Sequence, residues 1–331
     1  SLIPASMHSS RINSIPGLPF IGNNSLANTL VNGSSLVPNP AKGIIACLIM
    51  QMFYLLKQLI QMKILLNSFD LKKEFKKEHN LGFVPTMGSI HNGHKYLVIR
   101  SKKQCKKTLV SIFINPTQFN NPNDLKNYPK NIRKDLNILR RLKVDFVFLP
   151  KTNDIYKFKR KKRIVLNKND LILCAKYRKG HFEGVLDVMD RLTKLVAPKK
   201  IYMGEKDFQQ FHLVKRFLKK KYKTEIIKCK TIRNKDQLAY SSRNYQLSKD
   251  SLKTAAKVIN HIRNIKKNLS KQNNINKYLN TESNNLVKKY KIKIEYLELR
   301  NRINLKKSNN LKNSRLFIAY YINKIRLIDN L

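Results

Sequence analysis

Two histidines three residues apart, ahead of a helix-like run, are the feature of this sequence that most directly indicates chemistry. His91 and His94 lie in the segment 85–94, where Gly88 and Gly93 allow the backbone to come close to a ligand. At a helix start this spacing places both imidazoles on one face, with roughly 5–6 Å between their Cβ atoms. Ring N–H groups and the free amides of a helix end can together hold a polyphosphate. The pattern predicts a phosphate site, although two hydrogen-bonded core histidines would show the same spacing.

Two later segments carry groups that suit phosphate oxygens. In the segment 204–207, which follows a short apolar run, Lys206 can neutralise phosphate and Asp207 can accept hydrogen bonds from ribose hydroxyls. The segment 240–243 (YSSR) places two hydroxyls beside a guanidinium, which suits the charge that develops as pyrophosphate leaves. Each segment has a plain structural alternative, since acids favour a helix start and serines cap helices.

Amide side chains follow another apolar run. Residues 111–119 read SIFINPTQF, so Asn115 and Gln118 come at the end of a predicted strand. An amide binds a substrate hydroxyl or carboxylate without adding a charge. A fifth segment, RKGHF at 178–182, places Arg178 beside a predicted turn. We regard Asn115 and Arg178 as secondary candidates.

The net charge gives a weaker indication of function than these segments. The chain has 331 residues, 68 Lys+Arg and 20 Asp+Glu, for a formal charge of +48. Dense basic charge attracts nucleic acid, but here it is spread along the chain among many Asn and Ile residues, as codon bias toward A and T produces. We therefore expect no specific nucleic-acid partner. A hydrophobic content of 42% is enough for a folded core and argues against a disordered chain.

The cysteine spacing and the N-terminal 61 residues indicate where the protein is located in the cell. Cys47, Cys105, Cys174 and Cys229 are far apart with no CxxC pair, which fits free thiols in a reducing compartment and predicts a cytoplasmic protein. Residues 1–61 contain no acid, and their apolar run at 44–56 is too short to cross a bilayer. We expect 1–61 to be an extension without ordered structure, Met62 to be the true start, and no membrane association.

From Met62 onward, short apolar runs alternate with helical patterns. The predicted strands are 82–85, 109–114, 144–149, 201–203 and 225–229. Such alternation predicts an α/β fold, a Rossmann-like parallel sheet with helices on both faces, whose ligands bind beyond the carboxyl ends of the strands. Further on, helical stretches at 251–268 and 281–289 precede strand-like runs at 292–299 and 325–328. We expect a domain at 62–231 and a smaller α+β lid domain at 232–331.

Taken together and in this order, the five segments closely resemble the pantoate–β-alanine ligases, a family of the HxGH nucleotidyltransferase superfamily. The likeness runs from the start at 62–65 (MKIL) to the end at 326–330 (RLIDN). It implies a ligase that joins pantoate to β-alanine in two steps, with ATP as substrate and Mg²⁺ as the metal ion. ATP adenylates the pantoate carboxylate and releases pyrophosphate, and the β-alanine amine then displaces AMP. The family resemblance also implies a homodimer.

The same resemblance implies roles for individual residues. His94 stands in the family's proton-donor position, with His91 and Lys206 beside it on the phosphates. Gln118 would contact pantoate and lie near β-alanine, and Gln210 would hold pantoate from the other side. The implied ATP-binding residues are Met87, Gly88, Ser89, Ile90, His91, Asn92, Gly93, His94, Gly204, Glu205, Lys206, Asp207, Ile232, Tyr240, Ser241, Ser242 and Arg243. The metal ligands stay unassigned.

The chain departs from the family pattern just before its SSRN segment. The family usually reads Asp-Gly-Leu-Ala-Met, whereas this chain has Gln237 in place of the Gly and Tyr240 in place of the Met. Gln237 is expected at a turn that favours positive φ. The Tyr240 ring would stack in the nucleotide pocket or crowd it.

Two other functions remain open from the sequence. One is a relative that transfers a nucleotidyl group to a different acceptor, which would not need the Gln118 and Gln210 pair. The other is a basic nucleic-acid-binding protein with a degenerate enzyme core, for which binding would fall steeply with salt.

Overall fold

A computed structural model describes residues 45, 48, 49, 62–75, 80–158 and 162–331. The chain divides into two compact units, Ser1–Lys57 and Gln58–Leu331. In the first unit only Ile45, Leu48 and Ile49 are described, and all three are helical. The rest of the predicted extension at 1–61 lies outside the described residues.

The centre of the second unit is a six-stranded parallel sheet. Its strands are β1 (Lys63–Leu65), β2 (Leu81–Thr86), β3 (Lys107–Ile112), β4 (Phe146–Phe148), β5 (Lys200–Gly204) and β6 (Glu225–Cys229). The spatial order is β1-β4-β3-β2-β5-β6 and every neighbouring pair is parallel. The parallel sheet is confirmed. The sequence analysis missed the edge strand β1, because three residues show no pattern until they pair with β4.

Helices cover both faces of this sheet. The helices described between residues 68 and 219 are α1 (Ser68–Glu74), α2 (Asn92–Gln104), α3 (Pro122–Lys126), α4 (Ile132–Arg141), α5 (Thr152–Tyr156), α6 (Leu173–Tyr177), α7 (His181–Val196) and α8 (Phe208–Lys219), of which all but α3 contribute buried residues to the cores on the two faces. Successive strand residues point to opposite faces. Phe83 of β2 joins the core that contains α7, and the adjacent Val84 joins a second core that contains α2. Both residues are 0% exposed, so burial on both sides explains the uninterrupted apolar runs.

The strand order reverses at β2, which lies between β3 and β5. In an open parallel sheet, helices on the two sides of such a reversal diverge and leave a crevice beyond the carboxyl ends of the strands. The segment 85–94 leaves β2 at this edge, and the segment 204–207 leaves β5. The topology therefore brings together two segments that are more than a hundred residues apart in sequence.

The C-terminal region forms a small α+β layer. Helices α9 (Lys249–Asn268) and α10 (Ile275–Tyr290) pack on an antiparallel sheet of β7 (Lys293–Asn301), β8 (Ser314–Ile322) and β9 (Ile325–Asn330). The sequence analysis predicted two of these strands and missed β8, although residues 316–322 form an apolar run. Strand β8 is central and pairs with both others. Its Ile318 packs under α9 and α10, whereas Phe317 packs into the core of the parallel sheet.

One close contact of α7 supports the amide-bearing segment. Gly184 lies so near the 3₁₀ turn Pro116–Gln118 that a Cβ placed on it would be 2.3 Å from the Thr117 carbonyl oxygen. The backbone of that turn must move to accept any side chain there. The glycine therefore sets the distance between α7 and the turn that carries Gln118.

We expect Gly184→Ala to lower the free energy of unfolding by about 1–3 kcal/mol, because overpacking forces the turn away from α7. Denaturant unfolding measures the change. Gly204→Ala is the matched control, since a Cβ at Gly204 meets nothing within 4 Å. Equal midpoints for the two variants would contradict the role given to Gly184.

Candidate active site

A cleft with a cavity volume of about 240 Å³ opens at the crevice between β2 and β5. The four groups that the phosphate-site hypothesis requires to meet, His91, His94, Lys206 and the Ser-Ser-Arg segment, all line it. The sequence-predicted residues around this cavity are Met87, His91, Gly93, His94, Asn115, Gln118, Gly204, Lys206, Asp207, Gln210, Ile232, Tyr240, Ser241, Ser242 and Arg243.

Five of the residues predicted to bind ATP do not line this cavity. Gly88 and Ser89 face a separate depression on the other side of their loop. Ile90 is 2% exposed and packed inside, Asn92 is exposed, and the Glu205 carboxylate faces Arg315 at 2.9 Å. These five residues shape the loop at 88–92 and the turn at 205–207. Each of the two motifs therefore contains some residues that line the cavity and others that support the backbone around it.

The two imidazoles lie against each other, with ring centroids 3.9 Å apart and planes 20° from parallel. His91 is the N-cap of α2, and its Nδ1 accepts the Gly93 amide at 3.1 Å, which leaves the proton on Nε2. The backbone must come this close, because a Cβ on Gly93 would lie 2.8 Å from His91 Cε1. One of the helix-end amides expected to meet phosphate is therefore occupied by the imidazole.

Both imidazoles are neutral near pH 7. Burial, with the neighbouring His94 and Lys206 acting in the same direction, lowers the pKa of His91 to about 2. Burial also lowers the pKa of His94 to about 4, with Lys206 acting in the same direction and Asp207 opposing it. Within the part of the chain that the structure describes, His94 Nδ1 has no hydrogen-bond partner. A neutral imidazole with a spare ring nitrogen suits hydrogen bonding to a ligand better than acid catalysis.

A buried carboxylate holds the loop that precedes the imidazoles. Asp135 of α4 accepts the Ser89 amide at 2.8 Å and the Ile90 amide at 2.7 Å, one on each oxygen. The loop turns through left-handed backbone at Gly88 (φ 81°) and Ser89 (φ 53°). Burial raises the pKa of Asp135, although the two amide bonds oppose the shift. The sequence analysis missed this residue, because an acid in the first turn of a helix has an ordinary local explanation.

Gln118 is held from three sides. Its Oε1 accepts from Asn115 Nδ2 at 3.2 Å, and its Nε2 lies 2.7 Å from the Met87 sulfur. His181 Nδ1 donates to its backbone carbonyl at 2.7 Å, because Arg178 donates to the other ring nitrogen at 2.8 Å. The RKGHF segment therefore positions Gln118. Arg178 itself lines a smaller neighbouring cavity rather than the main cleft.

The pair Gln209 and Gln210 divides into two roles. Gln210 lines the cleft, while Gln209 is 5% exposed and donates to the carbonyls of Asp170 and Ile172. Successive residues of a helix point in directions about 100° apart, which explains why only one of the two reaches the cavity. The family resemblance named Gln210, and the structure places its side chain on the wall of the cavity.

The Ser-Ser-Arg segment closes the cleft from the C-terminal side. Ser242 Oγ donates to the Ser89 carbonyl at 3.4 Å, and Tyr128 lines the same cavity as Ser242. Arg243 is paired with Asp124 at 2.7 Å. Tyr128 lines the cleft but is not predicted from the sequence, because no local pattern places its helix-flanking segment here.

The two departures from the family pattern lie in the turn before this segment. Gln237 adopts φ 67°, the left-handed conformation for which a glycine costs less. The Tyr240 ring lies 6.3 Å from the His91 ring and 19° from parallel, so it extends the imidazole stack into a row of three rings. The ring therefore lies along the cavity wall beside His91.

The described residues lack a metal-binding cluster and a membrane-spanning helix, and their cysteines are free thiols. Among them, no group of three or more His, Cys, Asp or Glu side chains is arranged to hold a metal ion. No helix in the described ranges is both long enough and apolar enough to cross a membrane. Cys105, Cys174 and Cys229 are buried free thiols, and Cys47 lies outside the described residues.

Asp135→Asn is expected to weaken binding of the ATP that the family resemblance implies and to lower the free energy of unfolding by about 1–3 kcal/mol, because its amide nitrogen would face a backbone N–H. Titration calorimetry and denaturant unfolding measure the two effects. Asp145→Asn is the control: Asp145 also accepts a backbone amide, from Thr108 at 2.9 Å, but at the amino end of β3. It should lose stability alone. Unchanged ATP affinity in Asp135→Asn would refute the role of Asp135 in the cleft.

The lowered pKa of His94 predicts a pH-dependent stability. Between pH 6.5 and 4 the unfolded chain protonates this histidine while the folded chain does not, so the free energy of unfolding falls as the pH falls. One such group contributes up to about 1.4 kcal/mol per pH unit. We expect His94→Gln to show a shallower slope than the wild type in denaturant unfolding across this range, and Asn92→Gln to keep the wild-type slope. Parallel curves for His94→Gln and wild type would show that His94 is protonated normally.

Comparison with known proteins identifies the family to which this chain is similar. A family model for pantoate–β-alanine ligase matches residues 57–331. The pantothenate synthetase of Francisella philomiragia is 40% identical over 267 residues, covering 78% of this chain and 92% of the relative. That of Flavobacterium psychrophilum is 38% identical over 269 residues, covering 79% and 94%.

Solved structures show the same likeness. The pantothenate synthetase of Thermus thermophilus superposes with a TM-score of 0.75 at 29% identity, covering 82% of this chain and 99% of that one. The Francisella tularensis pantoate–β-alanine ligase, complexed with β-γ ATP and β-alanine, gives 0.70 at 36% identity, covering 82% and 97%. The family model over residues 57–331 and the relatives at 40% and 38% identity show that this chain belongs to the pantoate–β-alanine ligase family.

Proposed function

We propose that this chain condenses pantoate with β-alanine through a pantoyl adenylate, with ATP as the second substrate. A pantoate carboxylate oxygen attacks the α-phosphorus of ATP and pyrophosphate leaves. The β-alanine amine then attacks the acyl carbon, AMP leaves, and the amine loses a proton. The observation that carries the proposal is the single cleft lined by His91, His94, Lys206 and the Ser-Ser-Arg segment. The ligands named for the Francisella tularensis relative agree with it.

The phosphate end of the cleft combines neutral donors with cations. His91 and His94 donate hydrogen bonds as neutral imidazoles, which their lowered pKa values support. Lys206 is 16% exposed and lies 3.7 Å from Asp207, so its ammonium is confined near the cleft. Ser241, Ser242 and Arg243 complete the phosphate contacts. We assign these groups to charge stabilisation as pyrophosphate departs, the kind of effect that usually contributes most to acyl and phosphoryl transfer.

Pantoate fits the opposite end. Gln118 and Gln210 reach the cleft from different elements and offer uncharged amides to hydroxyl or carboxylate oxygens. Apolar side chains of Phe113, Val185 and Met189 line the same cavity and suit the two methyl groups of pantoate. Gln118 also serves as the residue nearest the incoming β-alanine. The amide pair favours this acceptor over a different nucleotidyl acceptor.

The cleft offers one carboxylate that could bind a magnesium ion together with the phosphates of ATP. Mg²⁺ in nucleotide sites is held by one or two carboxylates together with phosphate oxygens and water. Asp207 is a cleft-lining carboxylate with 46% side-chain exposure, so it would serve as the protein ligand. The ion would offset charge on the departing pyrophosphate.

The remaining assignments follow the resemblance to the family. We propose a Rossmann-like domain at 62–231, a C-terminal lid domain at 232–331 and a homodimer. The three buried free thiols support a reducing, cytoplasmic location. We propose small-molecule substrates alone, without a membrane or a specific nucleic acid as partner.

Release of pyrophosphate tests this function. We expect release only when ATP and pantoate are both present, and pantothenate only when β-alanine is added. Lys206→Met should lower kcat about 100-fold, because a charge-stabilising group of the transition state is lost. Lys253→Met, a change at a lysine with 76% side-chain exposure, should leave kcat unchanged.

Two outcomes would redirect the assignment. Pyrophosphate release that is indifferent to pantoate but depends on another acceptor would identify a different nucleotidyltransferase. Tight binding to unrelated DNA or RNA that falls steeply with salt, and is unchanged in His94→Ala, would identify a nucleic-acid-binding protein.

A further inference from the structure

The last two residues of β9 lie beneath both cation-bearing segments of the cleft. Asp329 and Asn330 are 4% and 2% exposed, and neither lines the main cavity. They belong to the RLIDN segment at 326–330, whose residues show no binding motif by themselves. Their contacts give this end a role in the active site.

Asn330 binds the turn that carries Lys206. Its Nδ2 donates to two successive carbonyls, those of Glu205 at 2.9 Å and of Lys206 at 2.8 Å. Both amide hydrogens are therefore used within one 3₁₀ turn, Glu205–Asp207. A buried amide with this geometry determines where the backbone of the turn lies, because any displacement would leave buried polar groups unpaired.

Arg315 of the neighbouring strand β8 orients that amide. Its Nη1 donates to Asn330 Oδ1, and its Nη2 pairs with Glu205 Oε2 at 2.9 Å. The oxygen of the Asn330 amide is thereby held on Arg315, and the nitrogen is turned toward the carbonyls. The turn is therefore surrounded by a ring of hydrogen bonds that joins Arg315, Asn330 and Glu205.

The adjacent Asp329 ties the same strand to the other segment. It forms a two-contact ion pair with Arg233, at 2.7 and 2.8 Å. Arg233 also donates to the Gln237 carbonyl at 2.9 Å, inside the positive-φ turn that leads to Tyr240. The end of β9 therefore has a fixed position relative to both phosphate-binding segments.

We propose that Asn330 is a positioning residue of the reaction: it sets the place of Lys206 in the phosphate site from beneath, without touching substrate. The Lys206 side chain is largely enclosed, so the position of its backbone limits where the ammonium lies. The inference rests on the proposed function for its kinetic readout. It also assigns the C-terminal sheet a part in organising the phosphate site.

The test is a double-mutant cycle between Asn330→Asp and Lys206→Met. Asn330→Asp keeps the size and the acceptor for Arg315 but replaces the donating nitrogen with an oxygen that faces two carbonyls. We expect it to lower kcat for pantoate-dependent pyrophosphate release about tenfold and to leave the KM for β-alanine unchanged. In the double variant, the loss should stay within about twofold of Lys206→Met alone, since residues that act as a unit are not additive.

Asn323→Asp is the matched control, because Asn323 lies at the other end of the β8–β9 hairpin, in the turn between Ile322 and Ile325, and contacts Ser251 rather than the cleft. It should show wild-type kcat. If Asn330→Asp does not fold, as judged by circular dichroism, Arg315→Lys takes its place in the cycle: it keeps the charge and loses the paired contacts. If the fold-losses in kcat of the two single variants multiply in the double variant, the proposal is overturned, because Asn330 would then act independently of Lys206.

A failure of the proposed function gives a different result. If the wild-type chain forms no pantothenate from the three substrates, the function is wrong, and the same cycle is read from ATP affinity by titration calorimetry. Non-additive losses of ATP affinity would still support positioning of Lys206 by Asn330. Additive losses would overturn it.

Discussion

Concentrating positive charge and hydrogen-bond donors in one crevice is the constraint on which this active site depends. Lys206 and the imidazoles converge where β2 and β5 end, and the lysine is one reason why the pKa values of His91 and His94 are low. Without a ligand, bringing these cations and hydrogen-bond donors close together does not stabilise the fold. The fold must therefore hold them by contacts outside the cleft, and keeping the imidazoles neutral reduces the repulsion that it has to oppose.

Those outside contacts share one form: a buried side chain that binds backbone groups of a turn. Asp135 holds the amides of the loop at 88–90, His181 holds the carbonyl of Gln118, and Asn330 holds the carbonyls of Glu205 and Lys206. Buried polar groups that are fully paired make a turn costly to displace. Two of these turns carry a residue that lines the cleft, Gln118 and Lys206, and the loop at 88–90 is followed directly by His91. The stability of the fold and the geometry of the site therefore depend on the same hydrogen bonds.

The C-terminal layer is part of this arrangement rather than a separate attachment. Phe317 of β8 packs into the core of the parallel sheet, with its ring 5.7 Å from that of Phe208 on α8. Helix α8 begins directly after the turn that carries Lys206. Packing of the two sheets and the hydrogen bonds of Asn330 therefore act on the same few residues. This explains why the family likeness extends to the last residues of the chain.

The sequence by itself determined the parallel sheet and most of its strands, because apolar periodicity is a local signal, and short motifs together with the family resemblance named many of the residues that line the cleft. It did not reveal β1, whose three residues form a strand only by pairing with β4. It also could not show Asp135, Tyr128 or Asn330 at the site. Each of these lies far along the chain from its partner and has an ordinary local explanation, such as a helix cap or a strand end. Only the tertiary structure decided their roles, because hydrogen bonds between distant segments leave no periodic trace in the sequence.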